Sequence, residues 1–289
     1  MNTPTPLATT TVDCADRGPE PPVRFGDLLA AEWIRMRSLR STPWTIGCVA
    51  LFVVGSAALS ALVYVRSLSD VPAGYLDARE PFEYLPFTAF PPPGHMTLML
   101  VAATLGALTV VSEYGSGLVR TLTVVVPARG SVVLAKAVVT AALWTAVGAV
   151  ISLGCFLASQ AVLDTRGVGV GITEPGVLRG LVASALLAPA CALVGLGLGV
   201  LIRHTAATVL AGAFLLMLVP LLISPGASWS APLHQATLFA SWKRLVQTWG
   251  PSPDSLVPLG SVPGSWIAYV LWPLVAVALA VVVVRRRDV

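Results

Sequence analysis

Six segments of 19 to 27 residues run through the chain without an aspartate, glutamate, lysine or arginine. A hydrocarbon core of about 30 Å is crossed by a helix of about 20 apolar residues, so each segment is long enough to span a bilayer. The segments are Trp44–Val65, Gly94–Ser112, Ala137–Leu163, Gly180–Ile202, Thr205–Ile223 and Trp266–Val284. With their flanking turns, the third and fourth helices are predicted over 131–163 and 177–202, and the others over 44–65, 94–112, 205–223 and 266–284.

The low charge content of the chain excludes the common soluble alternatives. Only 11% of the 289 residues are charged, against about 25% in soluble domains, and the mean hydropathy is +0.82. A soluble enzyme and a disordered chain are excluded, and a net charge of +4 is too small to indicate a nucleic-acid partner. A β-barrel is disfavoured because its strands are short and alternate apolar with polar residues. The predicted fold class is therefore an all-α polytopic membrane protein with six transmembrane helices.

Six spans place both termini on the same side of the membrane. That side, with the 113–136 loop and the Arg203-His204 turn, carries twelve of the eighteen lysines and arginines. The positive-inside rule then makes it cytoplasmic. Residues 1–24 are rich in Thr and Pro and lack a signal-peptide pattern. They are predicted to be a disordered cytoplasmic tail, and 25–289 a single transmembrane domain.

An amphipathic segment precedes the first span. Its apolar residues recur at three- and four-residue steps, which is the period of one helical face. These residues are Phe25, Leu28, Leu29, Trp33, Met36 and Leu39, while Glu32, Arg35, Arg37 and Arg40 lie off that stripe. The pattern predicts a helix over 25–42 lying in the cytoplasmic headgroup layer. An ordinary juxtamembrane anchor is the alternative.

The loop between the second and third spans is predicted to contain a short cytoplasmic helix. Ser112 is a candidate N-cap, and Glu113 in the first turn would suit the helix dipole. Gly117 and Arg120 fall near the same face as Glu113. Further on, 127–130 turns the chain back into the membrane, and Lys136 marks the start of the third span. Force on such a helix would be passed directly to both spans.

Together these elements resemble the permease subunits of type-two ATP-binding-cassette exporters of bacteria. The resemblance covers about Phe25 to Val284. It is carried by Ala-Glu-Trp-Ile-Arg-Met-Arg-Ser-Leu-Arg before the first span, by Ser-Glu-Tyr-Gly-Ser-Gly-Leu-Val-Arg-Thr-Leu from Ser112, by Pro-Ala-Arg from Pro127 and by Ala-Lys-Ala from Ala135. It implies that the 25–42 segment is the elbow helix and that the loop is the coupling helix, which docks on a separate ATPase subunit.

The resemblance also implies individual roles and partners. The residues expected at the ATPase contact, or shaping the exit from it, are Glu113, Tyr114, Gly117, Arg120, Thr121, Pro127 and Arg129. Arg120 and Arg129 could instead be simple topology signals, and the glycines turn formers. The expected assembly pairs two permeases, as a homodimer or heterodimer, with two ATPases in the bacterial plasma membrane. It would export an amphipathic or hydrophobic small molecule such as a drug, a lipid or a peptide-like compound.

The chain lacks the motifs of an enzyme. Lys136 and Lys243 are its only lysines, and neither stands in the glycine pattern of a phosphate-binding loop. The three histidines are scattered, the four cysteines lack metal-ligand spacing, and no Gly-x-Ser-x-Gly is present. The chain is predicted to be no enzyme and to bind no cofactor, with ATP and Mg²⁺ held by the partner subunit.

On the opposite side, 224–265 contains a second apolar stripe. It comprises Leu238, Phe239, Trp242, Leu245, Val246 and Trp249, and it predicts a short amphipathic helix on or in the outer leaflet, serving as a gate or a plain anchor. Lys136 and Arg179 are near span ends and are expected to snorkel. The spans offer no acid at depth, which disfavours a proton-driven transporter. The main alternative function is a non-transporting six-span assembly factor or sensor.

Overall fold

A computed structural model of the chain describes residues 24–38, 41–68, 85–115, 129–223, 229–249 and 260–286. Of these residues 88% are helical and none forms a strand, which confirms the all-α class. The helices are α1 (Phe25–Ser38), α2 (Ser41–Leu68), α3 (Pro92–Gly115), α4 (Arg129–Leu163), α5 (Val177–Ile202), α6 (Thr205–Leu222), α7 (Ala231–Gln235), α8 (Leu238–Val246) and α9 (Val262–Arg286).

Six of these helices are long and apolar enough to cross a membrane, namely α2, α3, α4, α5, α6 and α9. Five of them contain a predicted segment whole, and α6 ends one residue short of Ile223. The prediction of six helices long and apolar enough to span a membrane is confirmed. The helices exceed the apolar segments at most ends because the backbone stays helical where polar side chains begin. Helix α4, with 35 residues, would be about 50 Å long, so part of it lies outside a hydrocarbon core of about 30 Å.

Helix α5 is the centre of the bundle and packs against α3, α4 and α9. In its most apolar window 67% of the residues are buried, against 17–22% for α2, α6 and α9. Its glycines allow backbones to touch: a Cβ on Gly195 would come within 3.0 Å of the Ala103 carbonyl in α3, and one on Gly197 equally close to Ala276 in α9. The small residues of this span therefore serve close helix packing.

Helix α6 contains a change of helical register. Residues Phe214–Leu218 form a π-helix between the α-helical stretches Thr205–Ala213 and Val219–Leu222. Pro220 follows directly; it has no N–H and its ring would crowd the carbonyl four residues earlier in a regular α-helix. The wider turn accommodates this proline inside a membrane-spanning helix.

Short helices cover the two ends of the bundle. The end of the spans that holds Ser41, Gly115 and Arg286 is called here the amino-terminal face, and α1 packs on α4 at this face. The other end is called the opposite face. There α8 packs against α5 and α9, and α7 leads into it.

Candidate functional site

Helix α1 docks on the bundle through its polar edge. Glu32 is its most buried described side chain, at 9% exposure, whereas Phe25 and Trp33 of the apolar stripe are 45% and 44% exposed. Of the other stripe residues, Leu28, Leu29 and Met36 are half-buried, and Leu39 lies outside the described residues. The protein therefore covers the stripe only in part, and Phe25 and Trp33 are its most exposed residues. Its insertion in the headgroup layer stays a prediction.

Four charged side chains meet where α1, α3 and α4 come together, and they are called here the ionic cluster: Glu32, Arg35, Glu113 and Lys136. The Lys136 ammonium donates to Glu32 Oε2 and to Glu113 Oε1, both at 2.7 Å. Arg35 donates to the same Glu113 oxygen. Lys136 therefore bridges the amino-terminal helix to the end of α3, and Arg35 makes a second connection between them.

The ionic cluster is shielded from solvent and electrically balanced. The side chains of Lys136 and Glu113 are only 3% and 7% exposed, and that of Arg35 is 33% exposed. Two carboxylates and two cations cancel, so no net charge is buried. Removing one partner from such a pair costs about 3–5 kcal/mol because it leaves a charge without compensation. The expectation that Lys136 snorkels is wrong, because its ammonium is held inside by two carboxylates.

The ends of the helices explain why these residues meet. Helix α3 continues through Gly115, so Glu113 lies in the last turn of the span. The prediction that Ser112 caps a separate helix there is wrong. An acid in a last turn is disfavoured by the helix dipole, and the two cations on Glu113 offset this. Helix α4 starts at Arg129 and places Lys136 two turns further on, opposite Glu113.

Two further contacts connect this region to the rest of the amino-terminal face. The Arg203 guanidinium lies 4.7 Å from the centre of the Tyr114 ring, a cation–π contact between the end of α3 and the α5–α6 turn. Arg203 itself has φ 59° and caps α5 by donating its backbone N–H to Gly199. Near the start of α4, a Cβ on Gly130 would come to 2.9 Å from Nε of Arg285 in α9. The ends of α3, α4, α5, α6 and α9 thus lie near one another at the amino-terminal face.

The structure describes only some of the seven residues predicted at the ATPase contact, which are called here the docking set. Glu113 is in the ionic cluster, and Tyr114 is half-buried beneath Arg203. Arg129 begins α4, but its side chain is not among those described. Gly117, Arg120, Thr121 and Pro127 lie outside the described residues. Their roles stay predictions.

The sequence did not indicate the pairing of Glu32, Arg35 and Lys136. A signal was present: Glu32 and Arg35 are three residues apart and so share one face of α1, and Lys136 interrupts an otherwise apolar run. Each had an individual explanation, as a topology signal or a span boundary. Nothing in the spacing connects Glu32 to a lysine 104 residues away.

At the opposite face, the predicted amphipathic helix is α8, and its stripe packs on the protein. Trp242 is 1% exposed, donates its indole N–H to Ser184 Oγ at 3.1 Å and stacks on His95 with ring centres 4.7 Å apart. Arg179 donates to the carbonyls of Leu245 and Gln247 at the end of α8. The helix is confirmed, but its apolar face covers α5 and α9 rather than lying against the outer leaflet, and Arg179 holds it instead of snorkelling.

In the described part of the chain, no group of three histidine, cysteine, aspartate or glutamate side chains could hold a metal ion. Comparisons of the chain with models of known protein families and with curated proteins find no match. The described residues thus form an all-α bundle with six helices long and apolar enough to span a membrane and with the ionic cluster at one end.

Proposed function

We propose that this chain is the membrane-spanning permease subunit of a type-two ATP-binding-cassette exporter. It carries an amphipathic or hydrophobic small molecule out of a bacterial cell, powered by ATP hydrolysis on a separate subunit. In the working assembly two permeases pair with two ATPases. The proposal draws on the resemblance of the elbow and loop motifs and on the geometry of the amino-terminal face.

The observation that carries the proposal is the pair of hydrogen bonds that the Lys136 ammonium donates to Glu32 and to Glu113. The 116–128 loop begins about one turn after Glu113 and ends about two turns before Lys136. Its two ends are thereby joined to each other and to α1. A push on the loop would move the ends of α3 and α4 together with the amino-terminal helix, which is what transmission from an ATPase requires.

In this proposal the residues of the docking set have two different roles. Gly117, Arg120, Thr121 and Pro127 meet the ATPase. Glu113 is turned inward and buried, so it anchors the loop to the bundle and acts on the ATPase through it. Tyr114, held against Arg203, does the same on the side of α5 and α6.

The nature of the cargo is argued from the surfaces of the spans. An apolar groove of about 690 Å³ lies between α3 and α6, lined by Met96, Leu210, Phe214, Met217 and Leu221 among others. Phe214 and Leu221 are 51% and 79% exposed. Such walls suit a hydrophobic or amphipathic molecule better than an ion or a sugar.

Co-purification tests the proposal. The tagged full-length chain is extracted from membranes of its own host, and the proteins that remain bound are identified by mass spectrometry. A stoichiometric subunit that contains a phosphate-binding loop and hydrolyses ATP is expected. A chain that purifies without any ATPase, while retaining its helical content, would favour the non-transporting assembly factor or sensor and refute the exporter.

A further inference from the structure

A cavity of about 500 Å³ lies at the opposite face, between α7 and the outward side of α9. Ile267, Leu271 and Val275 of α9 form one wall, and Pro232, Gln235 and Ala236 form the other. Trp272 connects the two walls by donating its indole N–H to the Ala236 carbonyl at 2.8 Å. The volume is within the range of about 300–1,000 Å³ that small-molecule sites occupy.

The depth of the cavity matches one leaflet of a bilayer. Its lining along α9 runs from Gly264 to Val275, and eleven residues of helix rise by about 16 Å. That is half of a hydrocarbon core of about 30 Å. Ile267 and Leu271 are 65% and 56% exposed, on a side of α9 that faces acyl chains once the helix spans a membrane.

A positively charged side chain, Arg244, lies directly behind the rim of this cavity. Gly260 lines it, and the Gly260 carbonyl accepts a hydrogen bond of 2.7 Å from Arg244 Nε. Arg244 Nη1 is shielded from solvent and has no hydrogen-bond partner. Burial lowers the pKa of Arg244, and the nearby Arg179 lowers it further, so two guanidinium groups repel each other here.

No counter-ion for these cations is present in the described part of the chain. The ion pairs of the ionic cluster lie on the other side of the bundle, and none of them involves Arg179, Lys243 or Arg244. Two neighbouring arginines, one of which has an N–H donor without a hydrogen-bond partner, form the charge pattern that binds a phosphate or carboxylate group.

We propose that this cavity binds an anionic phospholipid of the leaflet at the opposite face, with its phosphate at Arg244, next to Arg179, and an acyl chain along Ile267, Leu271 and Val275. The charge complementarity of the rim favours an anionic over a zwitterionic lipid. The exposed apolar wall, one leaflet deep, favours a lipid over a soluble anion. The site does not depend on the exporter proposal, because it requires only that α9 spans a membrane.

Lipid binding to the purified full-length chain in detergent tests this site. Phosphatidylglycerol and phosphatidylcholine of the same acyl chains are added in turn, and the bound fraction is measured by native mass spectrometry. Phosphatidylglycerol should bind more tightly. Arg244→Gln should weaken its binding by about tenfold, as expected for losing a charge-assisted hydrogen bond, while Arg166→Gln, an exposed arginine at the same face, leaves it unchanged.

A second pair of variants tests the acyl-chain wall without touching the arginines. Leu271→Trp fills the cavity and should lower binding of both lipids. Leu274 is 61% exposed on the same helix and does not line the cavity, so Leu274→Trp should leave the binding of both lipids unchanged. Equal affinity for the two lipids, or release of phosphatidylglycerol by millimolar inorganic phosphate, would refute the anionic lipid site, as would unchanged binding in Leu271→Trp. Helical content by circular dichroism confirms that each variant is folded.

Discussion

Single charged residues have large effects on the packing and stability of this chain because it contains few of them. The sequence allowed each to be assigned a side of the membrane. It did not allow Lys136 to be paired with Glu32, because the two approach only after α1 folds back onto α4. Periodicity and charge counting describe neighbours along a helix, whereas the ionic cluster is made by three helices far apart in sequence.

Lys136→Met is expected to destabilise the protein strongly. The substitution leaves Glu32 and Glu113 shielded from water without their shared cation, at a cost of about 3–5 kcal/mol. The unfolding free energy, measured by denaturant titration in detergent, should fall by this amount. Lys243→Met removes an exposed lysine that forms no ion pair in the described part of the chain, and it serves as the control. Equal stability of the two variants would show that the ionic cluster contributes nothing.

At the scale of elements, the sequence predicted six spans and the two amphipathic helices α1 and α8, because long apolar runs and a three-to-four-residue period are local properties. It did not predict what covers each helix. The apolar face of α8 was expected against lipid and packs on α5 and α9, whereas α1 turns its polar edge inward. An apolar stripe shows that two faces differ, and only the packed bundle determines which face is covered by protein.

The tight packing of α5 predicts a strong effect of a single methyl group. In Gly195→Ala the new Cβ would meet the backbone of Ala103, which has no flexible side chain to yield. Stability in detergent should fall by about 1–3 kcal/mol, as for overpacked cores. Gly55→Ala is the matched control, since nothing lies within 4 Å of a Cβ there. Thermal unfolding of the two variants checks this, and a matching loss in both would contradict the close approach of α3 and α5.

Helix α8 is expected to depend on Arg179. Arg179→Met removes the donors to the carbonyls of Leu245 and Gln247, so the end of α8 should open more readily. Amide hydrogen exchange followed by mass spectrometry should be faster across 238–247 in this variant and unchanged in Arg166→Met. Unaltered exchange in both would show that the apolar contacts of Trp242 and its neighbours hold the helix without the arginine.

At the scale of the whole molecule, an even number of spans and an uneven distribution of basic residues predict the orientation, and both could be counted in the sequence. The function could be predicted from the sequence less fully than the orientation. The 116–128 loop on which the resemblance to exporters is strongest is joined at its two ends by the ionic cluster, a relation that no linear motif contains.

Cysteine labelling tests the orientation. In a variant with all four native cysteines replaced by serine, Thr165→Cys at the opposite face should react with a membrane-impermeant maleimide on intact cells. Arg24→Cys, at the amino-terminal face, should react only after permeabilisation. Both positions are exposed, so access to the reagent decides the result. Labelling of Arg24→Cys on intact cells would reverse the orientation.

The central claim is that the amino-terminal face transmits ATP hydrolysis through the loop beside the ionic cluster, and vanadate-sensitive ATP turnover of the membranes that hold the assembled complex tests it most directly. Glu113→Ala combined with Arg120→Ala should abolish most of this turnover while the chain remains in the membrane. Asp164→Ala combined with Arg166→Ala, an exposed acid and arginine at the opposite face, should leave it intact. Unchanged turnover in the Glu113 and Arg120 variant would contradict the account.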